Sequence, residues 1–182
     1  MPSLPEIPNL PSLSTQERAS ILDLLFEPST SLHTLSLPVT IEKYSTYDDL
    51  IIAIGMQLSA LAESTSTSDK TWLESILSAH PRLGEKTVDS ELSRIEQKAM
   101  DTASGGNDAG KEEEAKTLQA LNEQYEKAFP GLRYVVFVNG RPRPVIFEDM
   151  QKRITRGDIA AERTEAIKAM CEIASDRARR LQ

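Results

Sequence analysis

Leu132-Arg133-Tyr134-Val135-Val136-Phe137-Val138 is the one run in the sequence with the character of a strand. Its apolar, β-branched character is that of a buried strand. A strand leaves its backbone N–H and C=O groups unpaired unless a second strand lies beside it, and no second run of this quality occurs in the sequence. We therefore read 132–138 as an extended buried segment. The expected fold is an all-α, single-domain multi-helix bundle with one extended segment.

On both sides of that segment helical periodicity dominates. Upstream, Leu118, Leu121, Tyr125 and Phe129 share one face of a helix. Downstream, Pro142 and Pro144 break the chain before a helix over about Val145 to Ile154. Gly157 marks its end, and a final helix covers about Asp158 to Leu181. Nearer the N-terminus, Ser14-x-x-Glu17 and Thr46-x-x-Asp49 have the spacing of capping boxes. They open helices striped by Ala19, Leu22, Leu25 and Phe26, and by Leu50, Ile51, Ile54, Leu58 and Leu61. Pro28 ends the first helix, and residues 28–44 read as loop with at most a turn of helix. A third helix carries Trp72, Leu73, Ile76 and Leu77 and must stop near His80, because Pro81 disfavours the α conformation before it. A fourth runs from about Asp89 to Met100. Residues 101–110, with three glycines and small polar neighbours, read as a flexible loop. Prolines at 2, 5, 8 and 11 make residues 1–13 an extended N-terminal arm ahead of a helical domain over 14–182.

Composition excludes several classes. The chain has 182 residues, 39% of them hydrophobic, which suffices for one core. A net charge of −7 argues against a general nucleic-acid binder, whose affinity rests on neutralising phosphates. One cysteine, Cys171, allows no internal disulfide and no CxxC zinc site. His33 and His80 are the only histidines and lie far apart in sequence, so a His-rich metal centre is not expected. No apolar run reaches the ~20 residues of a membrane span, and the N-terminus lacks a signal-peptide pattern. The C-terminus carries no Ser-Lys-Leu address. The expected location is therefore the cytoplasm, without membrane contact. The charge is uneven: 10 basic and 21 acidic side chains up to residue 130, and 11 and 7 beyond it, or −11 and +4. This is either ordinary charged helix surface or a set of C-terminal arginines surrounding a small anion.

Few residues can carry chemistry. His80 falls at a helix C-terminus in His80-Pro81-Arg82-Leu83-Gly84. The partial negative charge there favours imidazolium, so His80 is either an acid or a cap on exposed carbonyls. Ser93, Glu96 and Gln97 share a helix face at i, i+3 and i+4. Together they make either a polar ligand-binding spot or a solvated surface.

Taken in order, His80-Pro81-Arg82-Leu83-Gly84, Ser93-x-x-Glu96-Gln97, Leu121-Asn122-x-x-Tyr125-x-x-x-Phe129, Tyr134 to Val138 leading into Gly140-Arg141, and Ile173-Ala174-x-x-Arg177 resemble the OHCU (2-oxo-4-hydroxy-4-carboxy-5-ureidoimidazoline) decarboxylase family. The resemblance runs from Leu10 to near the C-terminus. It implies an all-helical, cofactor-free enzyme of urate degradation, commonly a homodimer, that decarboxylates a small ureidoimidazoline to (S)-allantoin. On the matching positions, His80 would be the catalytic histidine and Glu96 its carboxylate partner. Ser93 and Gln97 would hold the ureido and ring groups, Arg177 the substrate carboxylate or neighbouring oxygens, and backbone near Val138 the ring, with Pro81 beside them.

Two positions depart from the family pattern. Arginine is common where Asn139 stands, so an anion contact there would fall to Arg141 or Arg143. Pro130-Gly131-Leu132-Arg133 replaces a Phe-Gly-Phe-like sequence. The rival readings are a ureide-binding member that has lost decarboxylation and a helical protein-interaction module.

Overall fold

The computed structural model describes residues 3–85, 91–103 and 108–182. Among these the chain is all-α. Its helices are α1 (Thr15–Phe26), α2 (Thr30–Ser36), α3 (Tyr47–Glu63), α4 (Thr67–Leu77), α5 (Glu91–Ala103), α6 (Asp108–Ala128), α7 (Arg143–Arg156) and α8 (Ile159–Leu181). Two 3-10 helices, Ile7–Ser12 and Leu37–Ile41, complete the described elements. No strand occurs among the described residues, and 132–138 runs as extended chain without a ladder.

Both capping boxes form. Ser14 Oγ accepts from the Glu17 N–H while Glu17 accepts from the Ser14 N–H, and Thr46 and Asp49 reciprocate in the same way. The final helix starts on Asp158, whose carboxylate accepts from the N–H groups of Ala160 and Ala161. α8 is the axis of the molecule and packs along α3 and α1. Its buried face includes Ala166, Ala174 and Ala178, short enough to admit close neighbours, with the larger Met170 among them. At Gly55 of α3 an added Cβ would lie 3.0 Å from Cys171 Sγ, so a glycine sets how near these two helices come.

Three local expectations are corrected. The proline-rich stretch is not extended throughout: residues 7–12 wind into a 3-10 helix, for which the fixed φ of proline is suited. Residues 28–44 are largely helical, because Ser29 caps α2 by accepting from the Leu32 N–H. Much of the expected 101–110 loop is helix as well, since α5 runs to Ala103 and α6 starts at Asp108. Residues 104–107, and the expected helix start at Asp89, lie outside the described residues.

Candidate active site

One turn, one extended segment and two helices enclose a cavity of about 260 Å³. One wall is the His80-Pro81 turn after α4, a second is α5 with Ser93, Glu96 and Gln97, a third is the extended segment from Tyr134 to Gly140, and the last is the C-terminal end of α8.

The turn holding His80 is clamped by residues distant in sequence. Gln97 donates to the Arg82 carbonyl and accepts from the Gly84 N–H, both at 3.1 Å. Asn122 donates to the Leu83 carbonyl at 3.0 Å. Gly84 has a φ of +81°, and a Cβ there would meet Leu118 Cδ2 at 2.5 Å. The turn therefore requires glycine on both steric and conformational grounds. Three of the sequence motifs thus meet at one loop.

His80 itself is buried, and neither of its ring nitrogens has a hydrogen-bond partner among the described residues. Burial first, and then the nearby Arg177 charge, push its pKa down to about 3, with Glu96 opposing the shift only partly. This corrects the expectation of an imidazolium. His80 lies three residues past the end of α4, and loss of hydration outweighs any helix-end field. The neutral ring is an acid–base group facing a cavity.

Glu96 does not hydrogen-bond to His80. Its two carboxylate oxygens accept from Arg177 at 2.9 Å each, and Oε1 also accepts from Arg180 at 2.8 Å. Arg177, expected to grip the substrate, is fully buried behind the cavity wall and does not line it. Its Nε donates to Glu96, and its Nη2 donates to Glu96, to Glu27 at 2.6 Å and to Ser93 Oγ at 2.8 Å. Ser93 in turn donates to Glu27 Oε1 at 2.5 Å. A buried guanidinium is tolerable only when its donors are matched in this way.

The extended segment contributes backbone rather than side-chain functionality. No N–H from Arg133 to Gly140 has an acceptor among the described residues. Buried Arg153 holds the segment from behind by donating to the Val135 carbonyl at 3.2 Å while its guanidinium stands 4.7 Å over the Tyr134 ring. Asn139 and Gly140 turn the chain with φ of +45° and +70°, at the rim of the cavity.

Of the residues singled out in the sequence, His80, Pro81, Ser93, Glu96, Gln97, Val138 and Asn139 line this one cavity. Arg141 does not: its guanidinium turns back to the carbonyls of Phe137 and Val138. Arg143 is buried and pairs with Glu114 at 3.6 Å. The C-terminal arginines do not surround the cavity: Arg143, Arg153, Arg156 and Arg163 pair with carboxylates elsewhere, and Arg180 is the one arginine among the described residues that lines it.

Sequence reasoning missed Glu27, Asp176 and Arg180. Glu27 had a signal, because an acid at a helix C-terminus opposes the helix dipole. Here it caps α1 with a φ of +91°, a strained conformation for a residue with a Cβ. Its carboxylate is buried against Arg177 and Ser93. Arg180 carried none, as a cation in the last turn of a helix is ordinary.

The all-α bundle thus brings a buried neutral histidine, an arginine-held carboxylate and unpaired backbone amides to one small cavity among the described residues. Residues 11–179 match the family described as OHCU decarboxylase, and the chain belongs to that family of carboxy-lyases. No curated protein matches the chain, and no solved structure does.

Proposed function

We propose that the protein decarboxylates 2-oxo-4-hydroxy-4-carboxy-5-ureidoimidazoline to (S)-allantoin in urate degradation. The observation that carries this reading is His80: buried, neutral, and with both ring nitrogens unpartnered at the wall of the cavity. A buried polar group left without a partner is costly, and a substrate able to fill both nitrogens offsets that cost.

The substrate carbon that loses carbon dioxide bears a hydroxyl and adjoins a ring C=N bond. When the C–CO₂ bond breaks, its electron pair moves toward that imine, whose nitrogen takes a proton. The enol so formed becomes the carbonyl of allantoin by losing its hydroxyl proton and gaining one at the adjacent carbon. The net reaction consumes one proton.

His80 is the group that accepts the hydroxyl proton and returns a proton to one face of the adjacent carbon. An anionic substrate alongside raises the basicity of the ring from its resting value, because a nearby negative charge favours the imidazolium. Glu96, fixed by two arginines, orients the substrate and adds a second negative charge toward His80. The unpaired N–H groups near Val138 supply donors for the oxygens of the ring and ureido groups. The homodimer implied by the resemblance belongs to the same reading, and light scattering would measure it.

The test couples urate oxidase and hydroxyisourate hydrolase to the protein and follows allantoin by circular dichroism. Spontaneous decay gives racemic product, so the expected result is an optical signal that His80→Asn lowers by about 10²–10⁴ in rate. A flat signal from the native chain, or full activity in the variant, would overturn the reading.

A further inference from the structure

We infer that Arg180, one helical turn beyond Arg177, receives the carboxylate of the substrate, and that Arg177 is a positioning residue for Glu96 and Ser93. The inference rests on the reading above that the cavity takes an anionic ureidoimidazoline, and it assigns that anion its contact.

Arg177 is not available for the task. Its Nε and Nη2 are held by Glu96, Glu27 and Ser93, and its Nη1 lies 3.5 Å from the carbonyls of Leu24 and Leu25. Turning it toward a substrate would strand the buried Glu27 carboxylate without its cation, a severe penalty in a dry interior.

Arg180 has the opposite situation. It lines the cavity, and its side chain is 40% exposed, so an entering molecule reaches it. Only Nη2 is engaged, with Glu96 Oε1 and Asp176 Oδ2 at 2.8 Å each. Its Nε and Nη1 have no acceptor among the described residues. Two carboxylates therefore fix the plane of the guanidinium and leave donors open for a third. A guanidinium keeps its charge throughout, so it holds an anion without joining the proton transfers.

The charges near the cavity make this contact selective. Arg177 and Arg180 face Glu27, Glu96 and Asp176, two cations against three anions. The cluster as a whole does not attract a carboxylate, so only direct hydrogen bonding to Arg180 makes binding favourable. Loss of carbon dioxide removes the charge that Arg180 holds. The product, neutral at that position, then has no claim on the guanidinium and leaves.

The experiment measures steady-state kinetics by circular dichroism, and product inhibition by added (S)-allantoin, for the native chain, R180Q and R180K. With Arg180→Gln, KM for the substrate should rise about 10- to 100-fold, the worth of a charge-assisted hydrogen bond. The inhibition constant of allantoin should rise several-fold less than KM does, because the product has no carboxylate for Arg180 to hold. R180K should recover part of the KM. An unchanged KM in R180Q, or equal weakening of substrate and allantoin, overturns the assignment. If the native chain gives no optical signal, the decarboxylase reading itself fails and this inference with it, a result distinct from an active enzyme indifferent to Arg180.

Discussion

His80 shows how far an environment can move a side chain from its ordinary chemistry. In the unfolded chain it titrates near 6.5. In the fold, burial and the Arg177 charge bring it to about 3. Between these values the unfolded chain binds a proton that the folded one excludes, so stability rises with pH across the window and is lost as pH falls below about 6.5. Urea unfolding of the native chain from pH 4 to 7 should show this slope, approaching ~1.4 kcal/mol per pH unit. His80→Asn, which has no such proton, should lack that part of the dependence; identical slopes would mean the ring titrates normally in the fold. The histidine and its motif were legible in the sequence. Its protonation state was not, because that depends first on burial by the folded chain and then on Arg177, which lies 97 residues away in sequence.

At the scale of elements, the cavity wall from Tyr134 to Val138 depends on a buried cluster joining α6, α7 and α8. Glu162 of α8 is fully buried and accepts from Arg153 Nε of α7 at 2.9 and 3.1 Å, from the Tyr125 hydroxyl of α6, and from Arg156 Nη2 at 3.1 Å. Arg153 passes this support to the Val135 carbonyl. Glu162→Ala removes the one fully buried carboxylate facing Arg153, leaving it Glu165 at 3.3 Å and Asp149 at 3.6 Å, and should cost about 3 kcal/mol in equilibrium unfolding. Replacing both partners with apolar residues of similar size should cost less than the single change, and a larger loss in the double variant would refute this account. Nothing in the spacing of residues 153 and 162 marks the pair. They sit on different helices, and their contact follows from the turn at Gly157.

For the whole molecule, the N-terminal residues close the base of the bundle. Leu4, Ile7 and Leu10 are buried in the core, the Leu4 N–H donates to the Leu181 carbonyl, and the Tyr47 hydroxyl donates to the Pro5 carbonyl. A chain shortened to begin at Leu13 should lose about 4 kcal/mol or more of stability, from three apolar side chains at about 1.5–3 kcal/mol each. A thermal midpoint unchanged by the truncation would show that these residues are a dispensable arm. Prolines at every third position are compatible with an extended arm or a tight 3-10 turn, and only the apolar residues between them, once given a surface to cover, select the turn.

What the sequence determined by itself was local. Caps, proline breaks and apolar stripes set the helices, because each depends on residues within a few positions. The absence of a second strand-like run made the bundle all-α. The motifs around His80, Ser93, Glu96 and Gln97 also named much of the cavity lining. Only the tertiary structure decided which charges meet. It placed Arg177 behind the wall, Arg180 on it, and Glu27 buried against Arg177. Electrostatic energy depends on distance in space and on exclusion of water, and the order of residues along the chain carries neither quantity.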